Sequence, residues 1–138
     1  MRSFLVCVFL LLLSSNAYSD IELLAKAAKT TEYLNFDPDS KEEFNTKSEY
    51  LGELQGKFKL YNHTYYFNNN SRAGHRLVIL TSSGELIGMY AIDDWATSIS
   101  GDCVYFPVSE EYGNKICIEN GVFPEQAWID GQLPMLFK

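Results

Sequence analysis

Beyond Gly52 the texture of the chain is that of antiparallel strands joined by frequent turns. β-forming residues dominate there, and turn residues recur at short intervals. The runs "KFKLY" and "TYYF" flank Asn62-His63, and "RLVILT" and "ELIGMYAI" flank Ser82-Ser83-Gly84. "QAW" and "QLPMLF" flank Ile129-Asp130-Gly131. Asp-Gly is a strong two-residue hairpin signal, because the central positions of such a turn need positive φ. With the cysteine-bearing run 103–117, this predicts up to four hairpins. Pro134 has no N–H to donate, so its run belongs at an edge or is paired on one side. Leu77 to Leu80 is apolar throughout, which predicts a central strand covered on both faces.

The segment before Gly52 has a different periodicity. "DIELLAKAAKTTEY", residues 20–33, places Ile21, Leu24 and Ala28 on one side, and Leu23 and Ala27 widen the stripe. Asp20 can cap that helix. Pro38 stops it, and Ser40 with Glu43 forms a capping-box pattern that predicts a second helix over 41–51. That helix would bury Phe44 and Leu51, although Asn45, Thr46 and Ser48 are poor helix formers. The expected fold class is therefore α+β: N-terminal helices packed on an antiparallel β-meander of about six to eight strands. Its strongly curled limit is a small barrel. Gly52-Glu-Leu-Gln-Gly56 and Gly84-Glu-Leu-Ile-Gly88 echo each other 32 residues apart, but no wider repeat supports a duplication.

The chain opens with Arg2, an unbroken apolar run from Phe4 to Leu13, and Ala17-Tyr18-Ser19 before Asp20. This is the layout of a cleavable secretory signal over 1–19. The run is too short for a membrane span, which takes about 20 residues. The expectation is a signal peptide followed by a single secreted or periplasmic domain over 20–138. No membrane span is expected after cleavage.

Export decides how the two remaining cysteines read. Cys103 and Cys117 stand fourteen positions apart. Zinc motifs place cysteines two to four apart, and a redox pair wants Cys-x-x-Cys. Oxidising conditions favour a disulfide. Pairing Cys103 with Cys117 in an antiparallel hairpin sets Tyr105 opposite Lys115. It also gathers Val104, Phe106, Ile116 and Ile118 on one apolar face. The disulfide then fixes register on the opposite face. No metal site and no cofactor motif is expected.

Loss of Arg2 takes the formal charge from −7 to −8. An acidic chain lacks the positive field that nucleic acid needs, so nucleic acid is not an expected partner. Residues 57–81 are a local exception, with Lys57, Lys59, Arg72, Arg76 and no acids. The plain account of Lys57 and Lys59 is the solvated face of a strand whose Phe58 and Leu60 point inward.

The chain is poor in catalytic patterns. His63, set in an expected turn, and His75, beside a polar loop, both read as surface residues with no marked nucleophile. Asp93-Asp94 follows an apolar run, where hydrolase acids can sit. Consecutive strand residues point to opposite faces, so a turn with Trp95 tucked into the sheet is the plainer account. Asn62 and Asn69 match the glycosylation acceptor pattern, which matters only in a eukaryotic secretory host.

These features favour a small exported non-enzymatic binding protein that docks to a partner protein, as an inhibitor or immunity-type protein does. A cationic partner suits the acidic flanks. Tyr61, Tyr65 and Tyr66 would supply contact area, and Glu110 and Glu111 in the hairpin loop would supply charge. The alternatives are a small-molecule carrier, if the meander closes, and a hydrolase using Asp93 or Asp94.

Overall fold

The structure is a computed structural model that describes residues 20–34, 46–67 and 72–138. The expected leader, Asn69 and the first half of the expected second helix lie outside those residues. A helix, α1 (20–28), precedes a mostly antiparallel β structure. Four strands, β1 (Thr46–Leu54), β2 (Phe58–Phe67), β3 (Arg72–Thr81) and β4 (Leu86–Ile92), form one sheet in sequence order. Three short strands, β5 (Ser98–Ser100), β6 (Cys103–Tyr105) and β7 (Lys115–Cys117), form a second. The expected meander of six to eight strands is thus corrected to a four-stranded sheet with a separate three-stranded one. Neither closes into a barrel among the described residues.

Two local expectations are also corrected. The second helix is contradicted over 46–51, which belong to β1. Lys47 and Glu49 are exposed there, while Thr46, Ser48 and Tyr50 are half-buried. That period of two is the strand period, and β-branched or short polar residues suit it better than a helix. The turn expected at Asn62-His63 is contradicted as well. β2 runs straight through both residues and pairs on both sides, Asn62 with Glu49 and Leu77, His63 with Ser48 and Arg76. Neighbouring strands satisfy the backbone of this polar dipeptide, so its turn propensity is overridden.

Both outer strands carry a bulge. Leu51 is the extra residue in β1 and Ile87 the extra residue in β4. The glycine after each lies in one transverse row, Gly52–Leu60–Ile79–Gly88. Bulges on both edges at one level increase the local twist and bend the sheet. The edge glycines also make room for what covers that face. A Cβ on Gly52 would stand 3.3 Å from Cδ1 of Ile99, and one on Gly88 would stand 2.7 Å from Cδ1 of Leu136. The echoed pentapeptides use their glycines in opposite order. Gly52 is in a strand and Gly56 in a turn, whereas Gly84 is in a turn and Gly88 in a strand. They are not a repeated unit.

The four-stranded sheet is covered on both faces. On one, Leu54, Leu60, Leu77, Ile79 and Tyr90 pack with Val104, Phe106, Ile116 and Ile118 of the cysteine hairpin and with Phe123, Ala127 and Ile129. On the other, Tyr61, Val78, Leu80 and Met89 pack under Leu24, Ala27 and Ala28 of α1 and Leu34. Leu77 to Leu80 are all fully buried, as a central, doubly covered strand requires. Complete burial of one such side chain contributes about 1.5–3 kcal/mol. Asp20 ties α1 down: its carboxylate accepts from Lys59, and its backbone carbonyl accepts from the Tyr61 hydroxyl at 2.7 Å.

From residue 98 on, regular structure is sparse. The cysteine hairpin has the expected register, with Cys103 opposite Cys117, Val104 opposite Ile116 and Tyr105 opposite Lys115, and the disulfide is formed. After it the chain advances by isolated bridges between Glu119 and Val122, Gln126 and Met135, and Ile129 and Gln132. Asp130-Gly131 is a two-residue turn with φ of 52° and 72°. Asn120-Gly121, with φ of 52° and 76°, is a second turn of the same kind. Phe137 pairs with Met89, so the tail closes the outer edge of β4.

Candidate functional site

The residues that sequence reading assembled into a binding surface do not assemble in space. Tyr61 is a correction: it is 0% exposed, on the α1 side of the sheet, with its hydroxyl held by Asp20 and its ionisation pushed up by burial. Such a side chain offers nothing to a partner. Tyr65 is half-buried on the same sheet, its ring 4.4 Å from the Arg76 guanidinium, and Tyr66 is exposed. Glu110 and Glu111 are exposed in a short 3-10 turn, Glu110–Tyr112, in the loop of the other sheet.

The histidines also depart from expectation. His63 is fully buried, and its Nδ1 lies 2.7 Å from the Ser48 hydroxyl. Burial pushes its pKa down from 6.5 to about 4, helped by Arg76 directly across the β2–β3 pair. A serine beside a histidine suggests a nucleophile and base, but a triad also needs its imidazolium stabilised, and burial and the positive charge of Arg76 both disfavour that form. His75 accepts or donates at Nδ1 to the Thr64 hydroxyl at 2.7 Å, and the Trp95 indole donates to that hydroxyl at 2.8 Å. These bonds pin the segment after β4 onto β2. Asn62 completes the clamp, donating to the Ala96 carbonyl and accepting from the Ala96 amide. The side chain of Asn62 is wholly buried by this, so its glycosylation pattern has no accessible acceptor in the folded chain.

Asp93 and Asp94 are exposed in the bend after β4, and Gln132 donates to Asp93 at 2.7 Å. No histidine or second acid bonds to either among the described residues. The basic segment 57–81 is partly neutralised from within. Lys59 is half-buried between Asp20 and Glu53, contrary to the solvated face expected of it. Its pKa is raised, first by the hydrogen bond to Asp20. Arg76 lies against the rings of Tyr65, Phe137 and Tyr33. Cation–π contacts of this kind hold the guanidinium against the protein's own surface.

The surface that does converge lies in the second half of the chain. An open groove of about 440 Å³ runs between β7 and the C-terminal segment. Its walls include Glu110, Lys115, Cys117, Glu119 and Trp128. Trp128 is 48% exposed, and Tyr112, Val122, Leu133 and Met135 are other large apolar side chains exposed in this half. Two backbone bonds hold the tail beside the hairpin loop, from Asp130 N to Gly113 O at 3.0 Å and from Gly131 N to Tyr112 O. Gly113 has a φ of 83°, and a Cβ there would collide with the Trp128 backbone carbonyl at 2.1 Å. The close approach of these two pieces therefore depends on glycine.

Trp128 is the residue that sequence reading missed. The signal was present in period-two form, because Ala127 and Ile129 are buried and Gln126 and Trp128 point outward. Among the described residues no three His, Cys, Asp or Glu side chains gather as metal ligands, and no helix is long and apolar enough to cross a membrane. No family model, no curated protein and no solved structure matches this chain.

Proposed function

We propose that this is an exported binding protein of 20–138 that docks a cationic partner protein through the groove beside β7. One observation carries the reading: a half-exposed tryptophan stands in a groove of about 440 Å³ that Glu110 and Glu119 also line. Tryptophan is over-represented among residues that dominate binding energy. Residues 101–138 carry six acids against Lys115 and Lys138, a net charge of −4. An acidic rim around an apolar contact speeds encounter with a cationic partner and selects against an acidic one. The apolar run, its flanks and the disulfide support passage into an oxidising compartment. Of the sequence-level candidates, Glu110 lines the groove, Glu111 stands one residue further along, and Tyr66 remains exposed on the other sheet.

The test uses two baits, the wild-type protein and Trp128→Ala, on the secreted or envelope fraction. A partner retained by the first and lost by the second is the expected result, with association slowed by salt and dissociation little changed. A partner retained equally by both baits, or one that is acidic, would overturn the reading.

A further inference from the structure

The edge of β7 is open over the length of this groove, and its boundaries are sharp. In the β6–β7 hairpin the mutually hydrogen-bonded pairs include Val104 with Ile116. Phe106 N donates to Asn114 O, and Ile118 N donates to Asp102 O. Cys103–Cys117 and Tyr105–Lys115 are the intervening pairs. Antiparallel strands alternate the two kinds, so the N–H and C=O groups of Lys115 and Cys117 point away from β6. At one end of this outer edge Gly113 O already accepts from Asp130 N, and at the other Glu119 N donates to Val122 O. Between them, no hydrogen bond from elsewhere in the described chain reaches the outward groups of Lys115 or Cys117. Those groups repeat about 7 Å apart along the strand. The same residues form one wall of the groove that holds Trp128.

The geometry points to strand addition: an extended, cationic segment of the partner docks as a fourth strand on β7, hydrogen-bonding to the outward groups of Lys115 and Cys117. The inference rests on the docking function proposed above and specifies its mode. Main-chain pairing would supply affinity, and side chains alternating on the added strand would reach Trp128 on one side. The occupant is cationic because Glu110 and Glu119 line the groove, and Glu111, Glu125 and Asp130 lie close in sequence, against Lys115 alone. An open edge is a hazard that proteins ordinarily block with charge, proline or a covering segment. The tail covers the edge of β4 in this way, through the Met89–Phe137 pair, whereas β7, three residues long, has Lys115 as its one charge and no covering segment among the described residues.

The probe is a seven-residue acetylated and amidated peptide of alternating Lys and Val. Two N-methylated forms carry the methyl on every Lys amide or on every Val amide, and an uncharged form has Thr for Lys. Added to the isotope-labelled exported protein, the parent peptide should slow amide exchange at Lys115 and Cys117 about tenfold or more, and leave Ile116 unchanged. One N-methylated form should lose about tenfold or more in affinity while the other binds as the parent does, because only one edge of a strand faces β7. Equal binding of both methylated forms overturns strand addition but leaves a side-chain-mediated docking function intact. Equal binding of the Thr form overturns the cationic occupant. Failure of the parent to bind, with the natural partner still captured in a Trp128-dependent way, overturns the inference alone. Self-association that protects Lys115 and Cys117 without peptide would make a second copy the occupant, and overturns it too.

Discussion

The two halves of this protein use apolar side chains in opposite ways. In the four-stranded sheet they point into two cores, one under α1 and one under the cysteine hairpin, and Leu60, Tyr61, Leu77, Val78, Ile79 and Leu80 lose all contact with solvent. From residue 98 on, strands are three residues long, turns rely on positive φ, and Trp128, Tyr112, Val122, Leu133 and Met135 remain exposed. The first half is held by long ladders and burial. The second is held by a disulfide, a few bridges and one apolar face laid on the first. Under the proposed docking function, stability and recognition are separated along the chain, with the contact surface carried by the part with least regular structure of its own.

Truncation should expose this difference most strongly. Ile79→Ala opens a cavity between two packed faces, and a loss of about 4 kcal/mol is expected from buried large-to-small changes. Val122→Ala, the same kind of change at an exposed site, should stay within about 0.5 kcal/mol. Denaturant midpoints of the two variants measure the contrast. Equal losses would mean that the second half buries Val122 in a way the fold does not show.

Acid should act on the first half before the second. His63 is neutral when folded because burial and Arg76 push its pKa to about 4, below its ordinary 6.5. The unfolded chain binds the proton more tightly than the folded one. The contribution is therefore fully present above pH 6.5 and is lost as pH falls from 6.5 towards 4, by about 3 kcal/mol. A His63→Gln variant removes the titrating group and should flatten that window, whatever its stability at neutral pH. Melting at several pH values between 4 and 7 reads the slope for both proteins.

The disulfide should matter mainly to the second half. Closing the loop from Cys103 to Cys117 contributes up to about 3 kcal/mol by chain entropy. The double Cys103→Ser, Cys117→Ser variant should speed amide exchange in β6 and β7 more than in β3. Uniform acceleration would make the two halves one cooperative unit. A smaller loss, about 1 kcal/mol, is expected for Gly121→Ala, because φ of 76° is unfavourable for any residue with a Cβ.

Much of this contrast was legible in the sequence, for identifiable reasons. The register of the cysteine hairpin was readable because cysteine spacing and face alternation specify one pairing. β3 was readable because an unbroken apolar run has few other uses. Asp130-Gly131 was recognised as a turn. Asn120-Gly121, with the same chemistry, was not, because the apolar run after it, Val122-Phe123, is too short to read as a strand. The errors have one cause, tertiary override of local polarity. Asn62 and His63 look like a turn until Ala96 and Ser48 are there to bond them, and those partners lie 34 and 15 positions away. Residues 46–51 followed a capping signal into an expected helix, when β2 was needed to pair them. The groove was illegible for a related reason: it forms only where the Asp130 turn docks on Gly113.

Trp128→Ala should have a small effect on stability and the largest on binding. About half of this side chain is already in water, so truncation loses only part of its burial and should cost about 1 kcal/mol or less. A residue at the centre of a docking groove commonly loses about 2 kcal/mol or more of binding energy on truncation, some thirtyfold in affinity. The two effects diverge because folding buries Ala127 and Ile129 on the inner side of the same segment, while the proposed contact is made by the exposed residue between them. The comparison needs one protein preparation and two measurements, a denaturation midpoint and a dissociation constant for the captured partner. If stability falls by several kcal/mol while affinity is unchanged, Trp128 belongs to the framework of the second half, and the contact surface lies elsewhere on the molecule.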